Sequence, residues 1–238
     1  MSSNSTAILL LSGGLDSFVN TALAREQHCT LHAVTCDYGQ RAVKQEIAAA
    51  TRICRHWNIA HQIITVPWLQ EITRTALVNR TQQVPRFTAT GTALNDVDRA
   101  HASAKAVWVP NRNGVFINIA AAIAESTGAS WIVTGFNAEE AATFPDNTAT
   151  FVERTNSYLE YATLSHPRVV SYTQSMTKAD IVRCALARDL PLHWCWPCYE
   201  AGAQWCGTCE SCARFQRAVE HAGGVFSVLA QRAPQRKD

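Results

Sequence analysis

The chain has 238 residues, with 21 Lys and Arg against 19 Asp and Glu and a formal net charge of +2. A chain of this length can bury a sizeable core, and its near-neutral charge lacks the clustered basic excess typical of nucleic-acid-binding domains, so no nucleic-acid partner is expected. It contains neither an apolar run long enough for a membrane span nor a signal-peptide pattern, which predicts a cytoplasmic protein without a membrane partner.

The first predicted elements are a buried strand over residues 7–11 and a helix over 17–27. Between them lies Ser12-Gly13-Gly14-Leu15-Asp16-Ser17. Its glycines allow a sharp turn and close approach of a ligand, and a helix N-terminus attracts negative charge. The loop lacks the Gly-Lys-Ser/Thr ending of a Walker A loop and the three-glycine dinucleotide fingerprint. Its hydroxyl, N–H and carboxylate groups suit a pyrophosphate with Mg²⁺.

This loop resembles the PP-loop of the N-type ATP pyrophosphatases, which cleave ATP to AMP and pyrophosphate. In that superfamily the AMP activates a carboxylate, an amide or a nucleobase oxygen. The plain alternative is a glycine turn between a strand and a helix, without a ligand.

The rest of the chain alternates between strand and helix patterns. Strands are predicted over 31–36, 62–66, 130–134 and 168–170, and helices over 43–57, 113–127, 150–164 and 177–188, with Gly128 and Thr177 as caps. Such alternation predicts an α/β fold, a doubly wound, Rossmann-like parallel sheet whose ligands bind at the carboxyl ends of the strands. Residues 74–106 lack periodicity and are predicted to form a long loop, either a lid or disordered.

Five of the nine cysteines lie close together near the C-terminus, at positions 195, 198, 206, 209 and 212. Thiolates at this density are typical ligands of Zn²⁺ or of an iron–sulfur cluster. A Zn²⁺ ion takes four ligands, so the spacing leaves either Cys195 or Cys198 as a spare. We therefore predict two domains, a PP-loop ATP pyrophosphatase domain over 1–190 and an irregular, cysteine-rich appendage over 191–238.

With both motifs in hand, most of the chain resembles the 7-cyano-7-deazaguanine synthase family, the nitrile-forming enzymes of queuosine precursor synthesis. The matching segments are Ser12–Ser17, Asp37–Arg41, Val109–Asn113, Thr134-Gly135, Phe144–Asp146, Trp196–Tyr199 and Cys206–Cys212. The resemblance implies conversion of 7-carboxy-7-deazaguanine and ammonia to the nitrile, driven by ATP through an acyl-adenylate and an amide. It also implies a ligase that forms C–N bonds, and a homodimer.

The resemblance further implies a set of site residues. A structural Zn²⁺ ion would be bound by Cys198, Cys206, Cys209 and Cys212, with Cys195 as the spare. ATP, with Mg²⁺ on Asp16, would be bound by Leu11, Ser12, Gly13, Gly14, Leu15, Asp16, Ser17, Tyr38, Gln40, Arg41 and Gly135. Asp16, Arg112 and Lys178 would be catalytic. The substrate would contact Arg112, Glu140, Phe144 and Asp146.

Residues 140–148 depart from the family pattern, because its Gly, Cys and Arg are absent and Glu140 replaces an Asp. This departure keeps open a paralogue that stops at the amide or uses another amine acceptor. A second alternative is a PP-loop tRNA-thiolating enzyme, since such enzymes also combine this loop with cysteines. A third is a zinc-binding interaction module without enzymatic activity.

Overall fold

A computed structural model describes residues 5–28, 30–91 and 94–232. Its centre is a parallel five-stranded sheet in the order β3-β2-β1-β4-β5. The strands are Thr6–Leu10 (β1), Thr30–Asp37 (β2), Ala60–Thr65 (β3), Trp131–Val133 (β4) and Arg168–Val170 (β5). The chain builds one half of the sheet outward from β1 and then returns to place β4 on the other side of β1, so the topological switch point lies between β1 and β4.

Helices cover both faces of the sheet, which confirms the doubly wound α/β class. They are Leu15–Gln27 (α1), Val43–Trp57 (α2), Pro67–Ile72 (α3), Val97–Val107 (α4), Arg112–Thr127 (α5), Ala138–Ala141 (α6), Ala149–Ala162 (α7), Lys178–Leu186 (α8), Glu210–His221 (α9) and Phe226–Arg232 (α10). Successive β1 residues point to opposite faces. Ile8 packs with residues of α5 and α7, whereas Ala7 and Leu9 pack with residues of α1 and α2. Because both faces are buried, β1 has to be apolar throughout.

Two predicted helix ends are confirmed. Gly128 ends α5 in the left-handed conformation with φ +72°, which glycine adopts without steric cost. Thr177 begins α8 with a capping box, in which its hydroxyl accepts from the Asp180 N–H while the Asp180 carboxylate accepts from the Thr177 N–H. The first helix begins two residues earlier than predicted, at Leu15, because Gly14 is the extended residue that precedes it.

The prediction of a structureless loop over 74–106 is wrong. Most of α4 lies in this segment, and Asp96 caps it by accepting from the Arg99 N–H at 3.1 Å. Its inward face is made of small residues such as Ala100 and Ala104, so it carries little apolar signal in the sequence. The residues before it are also packed, since Leu77 and Val84 are buried.

The segment after residue 190 is also more regular than predicted, because α9 occupies residues 210–221. This helix packs against α8, and the two share a hydrophobic cluster with α1. The division of the chain at residue 190 stays a prediction. Within the part of the chain that the structure describes, no helix combines the length and apolar character needed to span a bilayer.

Candidate active site and metal centre

A cavity of about 270 Å³ opens at the carboxyl ends of β1 and β4, beside the switch point. The glycine loop after β1 forms one wall. The N-terminal ends of α5 and α8 and the segment around α6 form others. The cysteine-rich segment completes the enclosure with residues that include Trp196 and Tyr199. The site therefore lies where ligands bind in open α/β sheets.

The glycine loop has a conformation that only glycine fits well at position 13. Gly13 has φ +79°, and a Cβ atom there would lie 2.8 Å from both the Ala49 Cβ and the Glu46 carbonyl oxygen. The Gly13 carbonyl accepts from the Trp196 N–H at 2.8 Å, so the cysteine-rich segment is bonded to the loop. The hydroxyls of Ser12 and Ser17 lie 3.1 Å apart, and both residues line the cavity. Serine hydroxyls and the free N–H groups of α1 thus converge on one anion-binding corner.

Beside the loop, Lys178 lies between two carboxylates. Its ammonium donates to Asp16 and, at 2.7 Å, to Glu140. Burial alone lowers the pKa of Lys178, but the two carboxylates outweigh it and raise that pKa above its usual value. Burial raises the pKa of Asp16 to about 6 despite the neighbouring ammonium. For Glu140 burial acts upward but Lys178 prevails, and the pKa falls below its usual value.

Arg112 enters the cavity from the first turn of α5. Asn111 precedes it in the left-handed conformation, with φ 49°, and this turn brings the arginine towards Tyr38. The guanidinium donates to the Tyr38 hydroxyl at 3.4 Å and lies 5.9 Å from the centre of its ring. Burial raises the pKa of Tyr38 to about 12, so the phenol remains a neutral partner. Arg112 is therefore a half-buried cation without a carboxylate hydrogen-bonded to it among the described residues.

The far end of the cavity is aromatic and lies around the turn that follows α6. Phe144 precedes a 3₁₀ turn, Pro145–Asn147, in which Asp146 is buried and accepts from the Asn147 amide at 3.0 Å. Burial raises the pKa of Asp146. The Phe144 ring is nearly parallel to that of Trp108, at 10° and 6.1 Å between centroids. The sequence pattern missed Trp108 because it follows the segment predicted to be irregular.

The structure brings together the predicted catalytic and substrate-binding residues around this cavity, but three of the predicted ATP-binding residues do not line it. Gly13 faces Ala49 instead. The Gln40 amide donates to the Cys36 carbonyl at 3.1 Å and to Glu46 at 2.8 Å, so it braces the end of β2. Arg41 binds backbone carbonyls of the 74–106 segment and pairs with Glu200 at 3.4 Å.

Four cysteines form a compact cluster next to the cavity. The sulfur atoms of Cys198, Cys206, Cys209 and Cys212 all lie within 4.8 Å of one another, a separation that suits a tetrahedral ion with bonds of about 2.3 Å. Backbone N–H groups donate to the Cys198, Cys206 and Cys209 sulfurs at 3.2–3.4 Å. Such bonds stabilise thiolates, so the cluster fits a bound metal ion. Cys195 lies outside it and is buried in the core with Leu9 and Phe18.

The cysteine cluster is joined to the cavity rather than set apart from it. Glu210, in the first turn of α9, accepts from Ser103 and from Arg214 at 2.8 Å. Arg214 lies 3.8 Å from Glu139, whose other oxygen accepts from the Lys178 N–H at 2.8 Å. These residues escaped the sequence-based interpretation, because nothing in their local pattern shows that α9 borders the strand ends.

Fold and site together define an α/β protein of the PP-loop type, with a four-cysteine centre in the wall of its cavity. The family model described as "Queuosine biosynthesis protein QueC" matches residues 6–223, and the chain belongs to that family. Three relatives that it resembles are all called 7-cyano-7-deazaguanine synthase. That of Bdellovibrio bacteriovorus is 44% identical, over 93% of this chain and 96% of the relative. That of Pelotomaculum thermopropionicum is 46% identical, over 91% of this chain and 97% of the relative. That of Methanosarcina mazei is 44% identical, over 91% of this chain and 94% of the relative.

Proposed function

We propose that this chain converts 7-carboxy-7-deazaguanine and ammonia to 7-cyano-7-deazaguanine, as a ligase that splits ATP to AMP and pyrophosphate. The observation that carries the proposal is the meeting of the glycine loop, Asp16, Lys178 and Arg112 around one cavity at the switch point. The names of the relatives favour this reaction over the paralogue that stops at an amide and over the tRNA-thiolating enzyme.

The chemistry explains why such a site needs cations and N–H groups. A carboxylate oxygen is a poor leaving group, so it attacks the α-phosphorus of ATP and pyrophosphate departs. Ammonia then attacks the acyl carbon, AMP leaves and the nitrogen loses a proton, which gives the amide. The amide oxygen attacks the α-phosphorus of a second ATP and pyrophosphate departs. The nitrogen then loses both of its protons as AMP leaves, which gives the nitrile. Each activation step requires alignment of the reactants and charge neutralisation at the departing pyrophosphate.

The residues of the loop provide the phosphate end. Ser12, Gly14 and Ser17 bind phosphate oxygens through hydroxyl and N–H groups, with Leu11, Leu15 and Gly135 shaping the adjoining wall. Gly13 holds the turn from behind, and Gln40 and Arg41 support Tyr38 and the neighbouring segment rather than contact ATP. Lys178 stabilises the developing negative charge on the phosphates. Glu140 keeps the Lys178 ammonium in position while Asp16 binds Mg²⁺.

The opposite end receives the substrate. Arg112 pairs with the substrate carboxylate and directs it at the α-phosphorus, because a half-buried cation with no carboxylate hydrogen-bonded to it favours an incoming anion. Phe144 stacks on the deazaguanine ring. The Asp146 carboxyl accepts from the amino edge of that ring.

Two metal ions complete the proposal. Mg²⁺ accompanies ATP and would be held by Asp16, whose Oδ1 is buried and has no hydrogen-bond partner among the described residues. Zn²⁺ would be held by Cys198, Cys206, Cys209 and Cys212. Four thiolate ligands would leave no open coordination position, which is typical of a structural zinc site. We also expect free ammonia as the nitrogen source, a homodimer and a cytoplasmic location.

The decisive experiment is mass spectrometry of the products after incubation with ATP, 7-carboxy-7-deazaguanine and ammonium. Nitrile, with two AMP formed for each nitrile, supports the proposal. Accumulation of the amide, or a conjugate formed only when another amine is supplied, would establish the paralogue instead. Absence of any product or pyrophosphate release would reject the proposed reaction.

A further inference from the structure

Trp108 is the least expected residue of the cavity wall. It is half-buried, follows the last residue of α4 and lines the cavity at its aromatic end. Its ring packs beside Phe144, which also lines the cavity.

The backbone holds Trp108 firmly in place. The Thr75 hydroxyl donates to its carbonyl at 2.7 Å, and its own N–H donates to the Lys105 carbonyl. The helix that presents it is anchored to the cysteine-rich segment, because Ser103 donates to the buried carboxylate of Glu210. A side chain presented from such a fixed point loses little conformational freedom on binding a ligand.

The ring of Trp108 faces Phe144 with its plane almost parallel, at 10° and 6.1 Å between centroids. A flat ring sandwiched between two aromatic planes needs about 7 Å, twice the van der Waals spacing of about 3.5 Å. The centroid distance is below that value, so the two rings must move apart before one planar ring fits between them. Phe144 lies in the turn after α6 and is half-buried, as Trp108 is.

The polar groups around this pair match one edge of a guanine-like ring. Asp146 is buried next to Phe144 and offers carboxylate oxygens, and Thr143 lines the cavity beside it. Arg112 supplies the cation on the side towards the glycine loop. Parallel planes, a carboxylate and an arginine define a site for a planar heterocycle that carries an acidic group.

We propose that Trp108 determines specificity by stacking on the bicyclic ring of the substrate, opposite Phe144, and thereby positions the ring's carboxylate at Arg112. This inference rests on the function proposed above for the choice of ring. Trp108 takes no part in proton or phosphoryl transfer.

The test compares wild type with the variants Trp108→Leu and Trp108→Phe in direct binding of 7-carboxy-7-deazaguanine, without ATP. Stacking of a base on an aromatic side chain is worth about 10-fold or more in affinity, so we expect Trp108→Leu to weaken binding by about that factor. Trp108→Phe should recover most of the loss because it retains a ring. Quenching of tryptophan fluorescence by the ligand should decrease in both variants.

Trp68→Leu is the matched control, because Trp68 is 47% exposed on α3 and lies outside the cavity lining. It should bind 7-carboxy-7-deazaguanine, and ATP in a separate titration, as wild type does. In steady-state assays Trp108→Leu should raise KM for the deazaguanine while leaving ATP affinity within about twofold. Thermal melting establishes that each variant is folded.

Equal binding of the deazaguanine by wild type and Trp108→Leu would overturn the inference, and so would an equal loss of ATP binding. The proposed function fails differently. If wild type binds guanine but not 7-carboxy-7-deazaguanine, and Trp108→Leu loses guanine, the stacking role stands and the substrate assignment falls.

Discussion

The two ends of the cavity are built in different ways. The proposed phosphate end is made of adjacent residues, Ser12 to Ser17, whose backbone N–H groups and hydroxyls lie at the start of one helix. The aromatic end is assembled from Trp108, Phe144 and Tyr199, which are distant in sequence. Backbone geometry can create an anion site locally, whereas a flat binding surface needs side chains brought from several elements. The first is a matter of loop conformation, and the second depends on how segments pack.

The largest effect that we expect concerns the four-cysteine cluster beside the cavity. Cys209→Ser should remove one ligand of a structural metal, whose binding contributes folding free energy. We expect a loss of about 4 kcal/mol or more, which corresponds to a decrease in Tm of about 10 °C. Metal analysis and calorimetry on the same sample measure both quantities. Cys184→Ser, outside the cluster, is the control, and unchanged melting of Cys209→Ser would show that the metal is dispensable for the fold.

The next effect isolates the phosphate end. Asp16→Asn keeps the shape of the side chain but removes its negative charge. That charge is proposed to hold Mg²⁺, and the carboxylate accepts from the Lys178 ammonium. We expect ATP-dependent pyrophosphate release to fall at least about 100-fold, comparable to the loss of one transition-state group. Melting should show a folded protein. Asp98→Asn, at the exposed start of α4, should retain full activity, and activity of Asp16→Asn within tenfold of wild type would refute the assignment.

A pair of glycines separates backbone strain from crowding. Gly13 and Gly128 have similar φ values of +79° and +72°, but a Cβ would collide with Glu46 and Ala49 only at Gly13. Gly128→Ala should cost about 1 kcal/mol from the left-handed conformation alone. Gly13→Ala should cost about 2 kcal/mol more, because the loop or α2 must shift. Urea unfolding measures both free energies, and equal values would mean that the loop is not packed against α2 as described.

The smallest effect is a pH dependence of ATP binding. Burial raises the pKa of Asp16 to about 6, above its usual value of 3.8. The folded protein therefore binds this proton more tightly than the unfolded chain does, so acidification from pH 7 towards 5 favours the fold but discharges the carboxylate. Mg²⁺-dependent ATP binding should weaken about tenfold over that range. Calorimetric titration of Asp16→Asn corrects for protonation of ATP itself, and an identical pH profile in that variant would exclude Asp16 as the titrating group.

Features formed by adjacent residues could be predicted from the sequence, whereas features assembled from distant residues could not. The strand before Ser12, the cap at Thr177 and the cluster of four cysteines depend on short-range patterns, and each lies where the sequence predicts it. The helix α4 was missed because its buried face is alanine-rich, so burial there depends on neighbours rather than on hydrophobic residues. The placement of Gln40 and Arg41 away from the cavity depends on their bonds to Glu46 and Glu200, which no local pattern encodes.

Short-range patterns were enough to predict the α/β class, the glycine loop and a C-terminal cysteine cluster, because alternation of elements, backbone conformation and ligand spacing are local properties. The spacing alone left either Cys195 or Cys198 as the spare. The three-dimensional packing was needed to show that α9 carries Glu210 and Arg214 to the cavity, and that Trp108 lies beside Phe144 in its wall. Those contacts arise from the packing of α4, α6 and α9 around the strand ends. Packing depends on the combined volume of many side chains and cannot be derived from one segment at a time.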